Sequence, residues 1–369
     1  MTVATATTNA TATAHAEWTA AVDNLLLACG ELRPGSRVLM INEPARTIEQ
    51  DVVDFIAQRA TALGGRVRTE WVERVDGPDS IPAPLIRQIE ESDLAIFNHQ
   101  MGSMLRLRPL AGNGVRILNY ATTSSIIDSD FARIPYDLWV RTVQLLAARL
   151  AQAKTWSMTC PSGTNLTGTI PIATRPAPAK GDGFSLKTFP IGTHQPIPSA
   201  GASGTLALRW LVTSAVHNIG TPGMRLEDAL VARVEDSRIV DIEGHADQVE
   251  DVRVFLDRVG DRMKKDPYLL NSWHAGINPQ TIAPYGDKED IEHWMLLAHN
   301  SPRLAHFHIV GEAVPGELSV PVLNPTIAFD GEVLWQDGTL SFLRSPAVEM
   351  LAKEAGSKTA FESLDLIKV

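Results

Sequence analysis

Short apolar runs alternate with segments of helically spaced apolar residues over the first 150 residues of the chain. Strand-like runs occur at 37–41, 66–75, 94–97 and 115–118, and helix-like segments between them at 48–63 and 84–91. Parallel strands need crossover connections, which are usually helices, so this alternation predicts a parallel, Rossmann-like sheet covered by helices. No G-x-G-x-x-G turn accompanies it, and a dinucleotide site is therefore not predicted.

The pattern changes near Thr155, where proline and glycine become frequent and the apolar runs become short. Strands are indicated at 205–210 and 230–234, a hairpin return strand at 238–244, and helices at 249–259 and 291–298. The dipeptides Asp330-Gly331 and Asp337-Gly338 are typical of tight hairpin turns. The prediction is an α/β N-terminal domain followed by an α+β, β-rich C-terminal domain.

The length of 369 residues suits two domains, predicted at 17–154 and 155–369, after a Thr- and Ala-rich tail at 1–16 that is expected to be disordered. A net charge of −10 without a basic run argues against nucleic acid or an anionic membrane surface as a partner. No apolar stretch reaches membrane-spanning length. The two cysteines, Cys29 and Cys160, are far apart, which fits a reducing cytoplasm.

Two histidines and two glutamates crowd into the stretch that ends at Glu317. His306 and His308 are separated by one residue, so on a strand they face the same side, and Glu312 follows shortly after. His274 lies upstream, two residues before a glycine. Two imidazoles and a carboxylate are what a divalent metal needs. The alternative is a pair of half-buried strand histidines whose hydrogen bonds are satisfied.

The remaining histidines of the second half give weaker signals. His217 lies between a strand and a hairpin, and it is either a functional or a simple loop histidine. His293 and His299, on or just after a helix, are interpreted as surface residues. The chain contains neither a G-x-S-x-G elbow nor an H-E-x-x-H helix motif.

Several segments occur in the order found in a known enzyme family. They are Gly163-Thr164-Asn165-Leu166-Thr167, Gly204-Thr205-Leu206, 239–244, 249–262, His274-Ala275-Gly276 and the two Asp-Gly hairpins. In this order the chain resembles the 2,5-dihydroxypyridine 5,6-dioxygenases of nicotinic acid degradation. More distantly, it is similar to the thermophilic metallo-aminopeptidases that share their fold.

The resemblance also suggests metal ligands. In the dioxygenases, iron is held by a histidine before x-Gly and by a His-x-Asp pair on a late strand. His274 matches the first ligand, while the late pair falls on Glu317 and Ser319. The aminopeptidases use a histidine on a strand that ends in glycine, and His308 is similar, one residue closer to Gly311. The resemblance therefore suggests a metal-ligand set that differs from those of both families and consists of His274, His308 (or His306) and Glu317.

The resemblance implies a cytoplasmic catabolic enzyme, expected to be a homo-oligomer, for a small cyclic or heteroaromatic substrate. The leading expectation is a metal-dependent, ring-cleaving dioxygenase with Fe²⁺. The first alternative is a hydrolase, either with Zn²⁺ and Glu312 as general base or without metal. In a metal-free enzyme, His217, His274 and His306 would be the acid–base groups. The last alternative is a non-catalytic ligand-binding protein.

Overall fold

The computed structural model describes residues 18–44, 47–106, 110–171, 186–312, 316–357, 359–362, 364, 366–367 and 369. The tail predicted at 1–16 lies outside these residues. The described chain forms two compact units. The described residues of the ranges 1–140, 184–191 and 352–360 form the first unit, and those of the ranges 141–183, 192–351 and 361–369 form the second. Within the described ranges, no helix combines the length and the apolar character that crossing a membrane requires.

The strands, in chain order, are β1 (Arg37–Asn42), β2 (Arg66–Trp71), β3 (Leu94–Asn98), β4 (Val115–Asn119), β5 (Thr155–Thr159), β6 (Asn165–Thr169), β7 (Lys187–Phe189), β8 (Ile197–Pro198), β9 (Ser203–Thr213), β10 (Gly223–Glu235), β11 (Arg238–Glu243), β12 (Leu270–Ala275), β13 (Leu304–Ile309), β14 (Leu318–Leu323), β15 (Thr326–Phe329), β16 (Glu332–Gln336) and β17 (Thr339–Leu340).

The α-helices are Gln50–Ala62, Ala83–Glu91, Met101–Leu105, Ser124–Ile127, Asp130–Arg133, Tyr136–Leu150, Ala246–Met263, Ile291–Ala298 and Pro346–Glu354. A π-helical segment covers Asn24–Cys29, and short 3₁₀ helices cover Pro78–Ser80 and Ser341–Arg344.

The first unit contains a five-stranded parallel sheet in the order β2-β1-β3-β4-β7. Strand β3, which lies between β1 and β4, is buried at every position, as expected of a parallel strand covered on both faces. The edge strand β2 is largely exposed. The α/β part of the predicted fold class is therefore confirmed.

The second unit contains a twelve-stranded antiparallel sheet, in which β9, β14, β13 and β12 are consecutive neighbours. Hairpin turns join β15, β16 and β17, and both residues of Asp330-Gly331 and of Asp337-Gly338 have positive φ, as the favoured two-residue turns require. The helix Ala246–Met263 buries Val252, Phe255, Leu256 and Val259 along one stripe. The β-rich part of the prediction is confirmed as well.

Strand β13 positions the candidate site, because it lies between β12 and β14 and is buried along its whole length. His306 is paired with His274 on β12. His308 is paired with Ser272 on β12 and with Ser319 on β14. Residues paired across strands share a face, so this register gathers histidine and serine side chains on one buried surface of the sheet.

Candidate metal centre

Three histidines of β12 and β13 converge on one point inside the second unit. His274, His306 and His308 are each at most 4% exposed, and their ligand atoms lie within 4.8 Å of one another. The Nε2 atoms of His274 and His306 are 2.6 Å apart. We refer to these three residues as the histidine triad.

The orientation of the His274 ring is fixed by a backbone carbonyl. Its Nδ1–H donates to the carbonyl oxygen of His194 at 3.0 Å, so the lone pair is left on Nε2, which faces His306. The His194 ring is itself held at both nitrogens, by the Ala275 amide at 3.0 Å and the Gln195 carbonyl at 2.6 Å. Burial lowers the pKa of His194 to about 4, so this support is neutral at physiological pH.

A chain of side chains fixes the His308 ring in the same way. Asn271 Nδ2 donates to the carbonyl oxygen of Gly311 at 2.8 Å, which turns its Oδ1 toward Ser272. The Ser272 hydroxyl donates to that oxygen at 2.6 Å and can therefore only accept from His308 Nδ1–H, at 2.9 Å. His308 is thus also left with its lone pair on Nε2.

This donor set fits a divalent cation. Metal-bound histidines commonly donate their other ring nitrogen to a fixed acceptor, as His274 and His308 do. Neutral imidazoles suit zinc and other borderline transition metals, and a three-histidine set leaves one position open. Two nitrogens on tetrahedral zinc lie about 3.3 Å apart. The Nε2 atoms of His274 and His306, 2.6 Å apart, would need to separate by less than about 1 Å to reach that spacing.

The two remaining acidic candidates lie outside the triad. Glu317 is 1% exposed, with one carboxylate oxygen accepting from His217 Nδ1 at 3.0 Å and the other from Lys265 Nζ. Glu312 is exposed. Of the predicted ligands, the structure brings His274 and His308 together with His306. It places Glu317 in a separate group with His217, and the two-histidine, one-carboxylate arrangement of iron oxygenases is not formed by these residues.

The structure adds residues that sequence reasoning missed. His194, Asn271 and Ser272 orient the triad rings, and Lys265 binds Glu317. A histidine in the turn-rich segment is the signal that could have indicated His194. Ser272 meets His308 through the pairing of β12 with β13, and Lys265, just after the helix Ala246–Met263, meets Glu317 from a distant segment. The prediction that His299 is a surface residue is wrong: it is 8% exposed, and its ring lies edge-on to His306 at 5.7 Å.

The chain is similar in structure to two solved proteins. No family model matches it, and no curated protein matches it in sequence. The 2,5-dihydroxypyridine dioxygenase of Pseudomonas putida KT2440 superposes with a TM-score of 0.58 and 14% identity, covering 88% of this chain and 97% of that one. Wild-type AmpT from Thermus thermophilus gives a TM-score of 0.49 and 13% identity, over 87% and 98% of the two chains. The first similarity shows that the chain has the fold of that dioxygenase.

Proposed function

We propose that this protein is a metal-dependent enzyme for a small molecule, with His274, His306 and His308 as the metal ligands. The observation that carries the proposal is the convergence of three buried imidazoles, two of which have their outer nitrogens hydrogen-bonded to fixed acceptors. This second layer of hydrogen bonds supports a binding site over a chance cluster, because it fixes which nitrogen is left to bind.

Hydrolysis is the reaction class that the donor set supports best. A zinc ion held by His274, His306 and His308 would supply a Lewis acid that lowers the pKa of a bound water. The chain's own contribution is to hold His274 and His308 in the tautomer that presents Nε2 and to keep bulk water away from the triad. A carboxylate ligand would cancel part of the ion's charge, and the triad contains none.

Ring-cleaving oxygenation of a hydroxylated heteroaromatic compound in the cytoplasm is the second candidate. It is favoured by the similarity to a dioxygenase along 88% of the chain. Imidazole ligands suit iron as well as zinc, so the triad is compatible with both reactions. The two candidates differ in one requirement, since oxygenation consumes O₂ and hydrolysis does not.

Metal analysis after loading tests the proposal. Metal-free protein is incubated separately with Zn²⁺, Fe²⁺ and Co²⁺ and desalted, and bound metal is measured by plasma mass spectrometry. We expect about one ion per chain in the wild type and none in His274→Ala, because a two-ligand site is open and weak. His245→Ala, which removes an exposed histidine, is the matched control and should bind normally.

Two probe reactions then separate the candidates. The zinc form is assayed for hydrolysis of p-nitrophenyl acetate, and the iron form for oxygen uptake with 2,5-dihydroxypyridine. Turnover of the ester that needs the ion but not oxygen supports hydrolysis, and oxygen uptake supports the second candidate. Wild-type protein that retains none of the three metals contradicts the proposal.

A further inference from the structure

A second group of titratable side chains lies beside the triad and is not used by the proposed chemistry. Glu317 is 1% exposed, whereas the side chains of Lys265 and His217 are 29% and 30% exposed. Each partner occupies one oxygen of the carboxylate. Both oxygens of the buried carboxylate therefore accept a hydrogen bond, and the two partners that donate them are partly exposed to solvent.

Both partners are held in place by further contacts. The stem of Lys265 crosses Gly311, where a Cβ would lie 2.6 Å from Lys265 Cδ, so only glycine allows this path. The loop of His217 is tied down by Arg262, whose guanidinium donates to the Asn218 carbonyl at 2.9 and 3.2 Å. A lysine fixed in this way loses little conformational freedom when it binds a ligand.

Strand pairing places Glu317 and its two partners close to the histidine triad. Glu317 lies two residues before Ser319, which is paired with His308. Such diagonal neighbours on paired strands are about 7–8 Å apart. The carbonyl of Gly311, under the Lys265 stem, also accepts from Asn271 in the chain that fixes His308. A small molecule at the triad is thus within reach of Lys265.

Charge indicates what this position would bind. Three neutral imidazoles leave a divalent ion with its full charge of +2, and Glu317 only balances Lys265. An uncompensated buried charge is costly, so a bound substrate that brings negative charge is favoured. The Lys265 ammonium has three N–H donors, of which Glu317 takes one.

We propose that Lys265 binds a carboxylate group of the substrate, with Glu317 as its positioning residue, while the reacting part of the same molecule lies at the triad. The substrate class is therefore a small carboxylic acid. This inference rests on the proposed function, because it takes the triad as the reaction centre. His217 holds the second oxygen of Glu317 and leaves the first to Lys265.

Ligand binding to the cobalt-loaded protein tests the inference without an activity assay. The probes are pyridine-3-carboxylate and pyridine-4-carboxylate, which offer a ring nitrogen to the ion and a carboxylate at two different reaches. Their neutral carboxamides are the reference. Binding is followed through the visible absorption of cobalt. We expect one of the carboxylates to bind at least about tenfold more tightly than its amide, the size of one charge-assisted hydrogen bond.

Two lysine variants locate the effect. Lys265→Gln should abolish the preference for the carboxylate, whereas Lys264→Gln, the same charge change at an exposed neighbour, should keep it. Because Lys265→Gln leaves a buried carboxylate without its cation, the double variant Lys265→Gln/Glu317→Gln is measured alongside and should give the same loss with an intact fold. An undiminished preference in both variants would overturn the inference.

Cobalt content separates the possible failures. Wild-type protein without cobalt would refute the proposed function itself. Full cobalt occupancy without a carboxylate preference would refute only the role of Lys265. A loss of cobalt in the double variant but not in Lys265→Gln would make Glu317 a metal ligand and overturn its role as a positioning residue.

Discussion

Each of the two sheets carries a buried cluster of polar side chains from neighbouring strands. One cluster consists of asparagines and the other is the histidine triad. Asn42, Asn98 and Asn119 form the first, at the carboxyl ends of β1, β3 and β4. Asn119 donates to Asn98 and Asn98 to Asn42, both at 2.8 Å. At the ends of this asparagine ladder, Asn42 donates to the Glu70 carbonyl and Asn119 accepts from the Ala121 amide. Every amide oxygen accepts and every amide nitrogen donates.

The histidine triad is bonded differently. Its outer hydrogen bonds fix His274 and His308 with their lone pairs toward the centre of the group. A proton on His306 Nε2 can satisfy His274 across the 2.6 Å gap, but a divalent cation accepts all three lone pairs at once. The comparison teaches that burial alone does not indicate function. A polar cluster that satisfies its own hydrogen bonds stabilises the fold, whereas one whose acceptor atoms converge on a point could hold a cation.

The largest expected effect is on metal binding. His306→Ala removes one of three ligands and should weaken zinc binding by about 10³-fold or more, since affinity of such sites is built from all their ligands together. Asn98→Ala should leave zinc affinity unchanged. Both are measured by competition with a chromophoric chelator. An equal loss of zinc affinity in the two variants would mean that the two clusters do not differ in metal binding.

The next effect is stabilisation by the ion. A ligand that binds only the native state adds about 4 kcal/mol at a thousandfold excess over its dissociation constant. Zinc at that excess should therefore raise the free energy of unfolding of the wild type and of Asn98→Ala by similar amounts. His306→Ala should not respond. Urea unfolding with and without zinc measures this, with a chelator to show reversal.

The asparagine ladder should dominate stability in the absence of metal. Asn98→Ala leaves Asn42 Oδ1 and one Asn119 N–H without their partners in a buried position. At about 1–3 kcal/mol for an unsatisfied buried group, the free energy of unfolding should fall by about 3 kcal/mol. Metal-free His306→Ala should lose less, because the bond described for His306 is a single one, to His274 Nε2, and the acceptors that hold His274 and His308 stay in place. Urea unfolding of the two metal-free variants decides whether this order holds.

A smaller effect is expected one layer out from the triad. Ser272→Ala removes the acceptor for His308 Nδ1–H and should weaken zinc binding about 10–100-fold, as other outer-layer changes do. Ser199→Ala, a change of the same type at another buried serine, is the control. An unchanged affinity in Ser272→Ala would mean that the His308 tautomer is not set by this chain of hydrogen bonds.

Much of the fold follows from local patterns, which is why the sequence predicted it. The helix Ile291–Ala298 begins after Asp290, whose side chain accepts from the His293 amide, and its bounds match the prediction. The Asp-Gly turns likewise determine their hairpins locally. Alternation on a strand, which is also a local property, singled out His306 and His308, and the glycine two residues further on singled out His274.

The grouping of the site residues could not be predicted in the same way. Glu317 binds Lys265 and His217, which lie far from it in sequence, and no local pattern indicates that a lysine will reach it. The His194 carbonyl orients His274 from a segment next to the two-residue strand β8, too short to give a periodic signal. Side-chain pairing between distant segments depends on register, which turn types and apolar alternation specify only in part.

The smallest effect concerns His99, the neighbour of Asn98 in the ladder. His99 is buried, and its hydrogen bonds are those of a neutral imidazole, because Nε2–H donates to the Val72 carbonyl and Nδ1 accepts from the Met101 amide. Burial lowers its pKa, against a weaker raising effect of Glu43. Below pH 6.5, His99 therefore binds a proton more readily in the unfolded chain than in the folded one. The contribution of His99 to the free energy of unfolding is thus full above that pH and falls as the pH is lowered. His99→Gln cannot titrate and should lose stability less steeply than the wild type between pH 6.5 and 5 in urea unfolding. Parallel pH profiles would show that His99 takes up a proton in the folded chain as readily as in the unfolded one, which would contradict the hydrogen bonds described for its ring.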